Sequence, residues 1–234
     1  MPPIVYVPGF MQRAATWGPV ADRLAERYPP IFVEHVSYER EVRLGEIEAT
    51  APGGAVLCGY SLGGRLALHT ALREPARYGG LVMVGAGAGL EDPAMRRKRR
   101  ARDERLARWI EKGPIEEVVE HWEGREVFAS QSPELVAAQR AGRLTHDPVS
   151  LAVLLRSAGQ GTIEPVWSRL AELSIPVLAV AGQDDHAYSV AAHRLAAEAP
   201  HGSVALVPGA GHAAHLEAPE AVADRVAEFA DRLP

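Results

Sequence analysis

Two rhythms of apolar and polar positions alternate along this chain. Six short runs, at residues 4–7, 31–36, 55–58, 81–84, 177–181 and 204–207, are rich in β-branched side chains, and several are apolar almost throughout and closed by glycine. Runs of this kind suit strands buried on both faces of a parallel sheet. Between them the period becomes helical. Over residues 219–233, Val222, Val226, Phe229 and Leu233 share one face while Asp224, Arg225, Glu228 and Asp231 lie elsewhere, which predicts a helix packed on the sheet. Strand and helix alternation of this sort predicts an open α/β fold.

The alternation stops between about residues 91 and 165, where helical periods occur without a convincing strand. Leu106, Trp109 and Ile110 form one apolar stripe. Ile115, Val118, Val119 and Trp122 form another, behind a Pro114 suited to a first helical turn. Ser132-Pro133-Glu134 and Asp147-Pro148 read as two further helix starts. The predicted organisation is a single core of residues 1–90 and 166–234, with a mostly parallel sheet of about six strands, and a helical cap inserted over residues 91–165.

Composition narrows the function classes. The chain has 234 residues, of which 47% are hydrophobic, enough for one substantial core. A formal net charge of −5 gives no overall attraction to nucleic acid or anionic membranes, so any anion recognition must be local. Cys58 is the one cysteine, which rules out an intrachain disulfide and points to a reducing compartment, by default the cytoplasm. The opening Met-Pro-Pro-Ile-Val-Tyr-Val-Pro-Gly lacks a basic start followed by an apolar signal stretch, so a soluble, unprocessed chain is expected. Oligomeric state is not legible in it.

The candidate chemistry begins at Gly59-Tyr60-Ser61-Leu62-Gly63, between the run at 55–58 and a helical pattern over residues 62–73. At a strand-to-helix turn, G-x-S-x-G forces the serine into a tight backbone that only small flanking residues permit, and lifts its Oγ above the sheet edge. Cys58 is a weaker nucleophile candidate, because it should point into the core. A serine needs a histidine to take its proton and a carboxylate to fix that histidine's tautomer. In this architecture the order is serine, acid, histidine, each after a strand. Gly182-Gln183-Asp184-Asp185-His186 follows the fifth run, and Pro208-Gly209-Ala210-Gly211-His212 follows the sixth. His212 is preferred over His215, and Asp185 over Asp184; His186 reads as a polar loop residue. A zinc site on His212 and His215 lacks an evident third ligand. The backbone N–H groups of Leu62 and Phe10 are the candidate oxyanion donors.

These features resemble the α/β-hydrolase family in elbow, triad order and inserted cap. Within it, Gly59 to Arg65, the segment 105–130 with Trp122 and Val127-Phe128-Ala129-Ser130, and Gly209-Ala210-Gly211-His212 with Glu217-Ala218-Pro219 are similar to the family of 2-succinyl-6-hydroxy-2,4-cyclohexadiene-1-carboxylate synthases, lyases of menaquinone biosynthesis. The resemblance implies a cofactor-free elimination of pyruvate from a polycarboxylate cyclohexene, with Ser61, His212 and Asp185 acting as a base system. It also implies substrate binding by Tyr60, Arg99, Trp122 and Arg143, although a core role for Trp122 stays open. Arg65, one turn after Ser61, is a cation at a helix N-terminus, where the macrodipole disfavours it. A substrate carboxylate explains it, as does a nearby acid on the surface. The basic run at residues 96–105 reads mostly as a solvated helix face, without the stacking aromatics of a nucleic-acid site. Two departures from the family are Pro8, where a histidine is usual, and Glu34 to Arg40, where an Asp-x-Pro-Gly-His-Gly loop is usual. The alternative function is a carboxylesterase or thioesterase working through an acyl-serine.

Overall fold

The computed structural model describes residues 1–233. Six parallel strands, β1 (Ile4–Val7), β2 (Pro30–Phe32), β3 (Val56–Tyr60), β4 (Gly80–Val84), β5 (Val177–Gly182) and β6 (Gly202–Val207), form one sheet in the order β2-β1-β3-β4-β5-β6. Every residue of β1, β3, β4 and β5 is buried. Their side chains alternate between two cores. Val5, Val7, Leu57, Leu81 and Met83 join one; Ile4, Tyr6, Val56, Cys58 and Val82 join the other. This two-sided burial is the reason these runs are apolar without interruption.

Helices cover both faces. On one side lie α1 (Gly18–Leu24), which supplies Val20 and Leu24, and α10 (Pro219–Ala230), which supplies Val222, Val226 and Phe229. On the other lie α2 (Arg40–Thr50), α3 (Leu62–Ala71) and α8 (His186–Glu198), with Ile47, Leu66 and Leu195 buried. A short helix, α9 (Ala214–Glu217), precedes α10.

Between β4 and β5 the chain runs through α4 (Pro93–Ile110), α5 (Ile115–Glu123), α6 (Pro133–Leu144) and α7 (Pro148–Ala158). The start signals act as expected: Ser132 accepts from Leu135 N at 3.2 Å and Asp147 from Ser150 N at 2.8 Å. Ala107, Ile110, Val118, Val119, Leu151 and Leu155 make a third apolar cluster, closed from the sheet side by Met11.

Two strands differ from expectation. The run at 31–36 pairs only through Phe32, because the Glu46 side chain then captures the backbone, accepting from Val36 N at 3.2 Å and Ser37 N at 2.9 Å. β6 begins two residues before the run at 204–207, and its position at the sheet edge leaves Val204 36% exposed.

Candidate functional site

Parallel strands deliver their C-terminal ends to one edge of the sheet, and the chain order reverses between β1 and β3, opening a crevice there. Val7 pairs with Gly59, so the loop after β1 and the turn after β3 are neighbours. Ser61 occupies that turn with φ 50° and ψ −109°, a backbone conformation costly for any residue with a Cβ. The flanking glycines make the turn possible. A Cβ on Gly59 would stand 2.5 Å from Gly63 O, and one on Gly63 would stand 2.3 Å from Val7 O. Helix α3 therefore leaves β3 while pressed against β1.

Asp185 follows β5 as the N-cap of α8, its Oδ1 accepting from Tyr188 N at 3.2 Å. Its Oδ2 lies 2.7 Å from His212 Nδ1, and His212 Nε2 lies 3.2 Å from Ser61 Oγ. In the tautomer whose Nδ1–H donates to the carboxylate, the imidazole turns its Nε2 lone pair toward the serine hydroxyl. The His212 ring stands among Tyr60, Tyr188 and Phe128, at centroid separations of 5.3, 4.7 and 6.4 Å. Asp184 and His186 are exposed.

His215 is elsewhere. It is fully buried against Trp17 and Tyr60, at 4.5 and 4.2 Å, and its Nε2 faces Gln12 Nε2 at 3.4 Å. Burial, with His212 nearby, drives its pKa down to about 3, a poor value for a base. Cys58 is also buried, and burial pushes its thiol up, away from the reactive thiolate.

Beside Ser61 a cavity of about 460 Å³, within the range of small-molecule sites, opens between the strand ends and the inserted helices. Phe10, Tyr60, Leu62, Arg65, Arg99, Trp122 and Arg143 all line it. Among the described residues, neither Phe10 N nor Leu62 N donates to a backbone group. Tyr60 is buried, which raises its phenol well above the ordinary value and keeps it neutral. Trp122 packs in tilted contact with Phe10 at 4.9 Å and Phe128 at 5.7 Å between ring centroids, so it belongs to both the wall and the packing behind it. No part of residues 34–40 reaches this cavity.

The arginines differ in their partners. Arg65 has no acidic partner among the described residues, and its Nε and Nη1 are buried without any hydrogen bond. Burial lowers its pKa, which registers the cost of a cation held out of water. The surface ion pair that could have explained it is absent. Arg99 donates to Asp103 Oδ1 at 2.8 Å and to Gln160 Oε1. Arg143 donates to Glu123 Oε1 at 3.0 Å and Gln139 Oε1 at 2.7 Å.

Four lining or supporting residues were not singled out from the sequence. Gln12 accepts from Gly9 N at 3.1 Å and so folds the loop bearing Phe10. Tyr188 follows Asp185 by three and packs on His212. Arg125 lines the cavity from the segment after α5. Glu217 accepts from Gly211 N at 2.8 Å, Ala213 N at 2.9 Å and Ser130 Oγ at 2.8 Å, gripping the backbone on both sides of His212. An acid on α9 close behind the histidine was the available signal for Glu217; nothing local marks the other three.

The sequence matches the Alpha/beta hydrolase family over residues 4–225. A Serratia proteamaculans protein named 2-succinyl-6-hydroxy-2,4-cyclohexadiene-1-carboxylate synthase is 28% identical over 242 aligned positions, covering 97% of this chain and 92% of that one. A Bacillus subtilis protein named provisionally for the same synthase is 35% identical over 176, covering 74% of this chain; the chain spans 64% of its length. The solved structure of MenH from S. aureus superposes with a TM-score of 0.89 at 24% identity, covering 98% of this chain and 93% of that one, a likeness of fold. With the match running through all six strands and both ends of the site, the chain belongs to the alpha/beta hydrolase family.

Proposed function

We propose that this protein is a lyase of menaquinone biosynthesis, eliminating pyruvate from a cyclohexene that carries several carboxylates. The name shared by the Serratia and Bacillus relatives supports the reaction. The observation that carries it is Arg65, whose Nε and Nη1 are buried without a partner in the cavity wall beside Ser61. A neutral ester gives no return for that desolvation, whereas a substrate carboxylate can take two parallel hydrogen bonds from it.

In this reading Ser61 Oγ stands between the substrate and His212. As a ring C–H proton leaves for Oγ, the hydroxyl proton passes to Nε2 over the 3.2 Å contact, and Asp185 stabilises the resulting imidazolium through Nδ1. The electron pair released from the C–H bond forms the new ring double bond as the ring C–O bond breaks, and the departing enolate of pyruvate takes up a proton. In this reading Phe10 N–H and Leu62 N–H, free of backbone partners among the described residues, hold the negative charge that builds on a substrate carboxyl or enolate oxygen. No acyl-enzyme is required. The inserted helices act as a cap that keeps water from the carbanion-like transition state, and the reaction uses a small-molecule carboxylate without cofactor.

The test is to offer the purified protein the biosynthetic precursor and follow pyruvate release together with the absorbance of the conjugated diene. Both should appear at equal rates, and Arg65→Ala should lower kcat/KM at least about tenfold, or about 1.4 kcal/mol, while sparing hydrolysis of a small neutral ester. Turnover of simple esters alone, with no pyruvate, establishes the esterase instead.

A further inference from the structure

One buried histidine has no part in the proton transfers at Ser61. His215, on α9, is fully buried, its ring between Trp17 and Tyr60. Its Nδ1 is buried without a hydrogen-bond partner, a cost that a phenylalanine filling the same space would not incur. The other nitrogen gives the histidine its reason to be there. Nε2 lies 3.4 Å from Gln12 Nε2, and an amide nitrogen can only donate. His215 Nε2 must therefore accept, which fixes the Nδ1–H tautomer. Desolvation, the main cause of its lowered pKa, keeps the ring neutral and the acceptor available.

The Gln12 amide is fixed by the same contact. With Nε2 turned to His215, Oε1 faces the loop after β1 and accepts from Gly9 N at 3.1 Å, while Gln12 N donates to Gly9 O at 3.3 Å. These two bonds close a turn around Phe10 and Met11. The turn is strained: Met11 has φ 56°, in the left-handed region that is costly for a residue with a Cβ, and a Cβ on Gly9 would stand 2.6 Å from Tyr60 Cδ1. Phe10 N has no backbone partner of its own among the described residues. Its direction depends on the turn, and the turn depends on an amide whose two ends are told apart by a neutral imidazole.

We propose that Gln12 and His215 are a positioning pair for the oxyanion donor: His215 Nε2 orients the Gln12 amide, and the amide holds the turn that aims Phe10 N–H at the oxygen gaining charge. Neither residue transfers a proton. Through Glu217 and His215, α9 then supports both sides of the site, the loop of His212 and the loop of Phe10. The inference rests on the reading of Phe10 N–H as an oxyanion donor, and not on which reaction Ser61 serves.

Three substitutions that keep the space filled test it: His215→Phe, His215→Gln and Gln12→Met. The readouts on the intact protein are the rate of Ser61 labelling by a fluorophosphonate, whose phosphoryl oxygen takes up charge in the same hole, and kcat and KM for pyruvate release. His215→Phe keeps the aromatic packing but removes the acceptor, and should slow labelling and lower kcat at least about tenfold with KM changed less than about twofold. His215→Gln loses the ring but returns an acceptor oxygen, and should recover to within about threefold of the unaltered protein. A packing role gives the reverse order, Phe tolerated and Gln damaging, and overturns the proposal. Gln12→Met should match His215→Phe, and the double variant should be no worse than either, because both break one chain of contacts. Additive losses overturn the pair, as does a rise in KM confined to Gln12→Met, which would make Gln12 a substrate contact. The expected labelling pattern without pyruvate release sinks the lyase and leaves the pair. Normal release with kcat and labelling unchanged in Gln12→Met sinks the pair and leaves the lyase.

Discussion

Glu217 illustrates how a residue that touches no substrate can govern one that does. Its carboxylate receives the amides of Gly211 and Ala213, and Ser130 Oγ from the inserted segment, so the loop carrying His212 is held on both sides of the histidine. Charged hydrogen bonds of this type contribute about 1.5 to 3 kcal/mol each. Glu217→Gln retains the shape but has one acceptor oxygen where three donors converge. We expect kcat to fall about tenfold or more with KM little changed, and the rate of Ser61 labelling by a fluorophosphonate to fall in parallel. An unchanged labelling rate would mean that His212 is placed without this clamp. Spacing alone had isolated Ser61, Asp185 and His212, because each follows a strand. Glu217 was visible only as part of a motif, because its partners are backbone groups.

At the scale of elements, the decisive contact is α3 against β1. Gly63, in the first turn of α3, lies so close to the preceding strand that a Cβ would meet Val7 O at 2.3 Å and Pro8 O at 2.5 Å. Both obstacles are backbone, which cannot swing aside. Gly63→Ala is expected to cost roughly 3 kcal/mol or more by forcing the helix off the sheet, read as a lower denaturation midpoint, with loss of activity because Ser61 and Leu62 N–H move with the helix. If stability and activity both survive, the turn is looser than the geometry implies. Gly18, which has nothing within 4 Å of a built Cβ, is the matched control position. The helix starts at Ser132 and Asp147 were readable because a cap is a local event. The end of β2 was not, since it depends on Glu46, on the next helix, reaching back to residues 36 and 37.

For the molecule as a whole, several buried imidazoles link stability to pH. Burial is the main cause that lowers His69 to about 4, His146 to about 3 and His215 to about 3. An unfolded histidine titrates near 6.5. As pH falls below about 6.5 the unfolded chain therefore takes up protons that the folded chain refuses, and stability declines until the folded values are reached near 3 to 4. The thermal midpoint should drop by roughly 10 °C between pH 7 and pH 5; a flat profile over that interval would mean that these rings are solvated. No helix among the described residues is long and apolar enough to cross a membrane.

Pattern in one dimension determined the α/β class, the existence and order of six strands though not the bounds of β2 and β6, the helical insertion between β4 and β5, and the serine, acid and histidine in chain order. Each of these is written locally: two-sided burial makes apolar runs, a sharp turn demands glycines, and parallel strands send their following loops to one edge. Tertiary structure alone decided which arginines are free. Asp103 follows Arg99 by four residues and the pair could have been anticipated on a helix, but Glu123 reaches both Arg140 and Arg143 from another helix, and Arg65 is left single by the same packing. A charge shows in the sequence, whereas its compensation depends on what the fold brings within a few ångströms, and in a buried cavity that compensation determines whether an arginine is occupied or ready for a ligand.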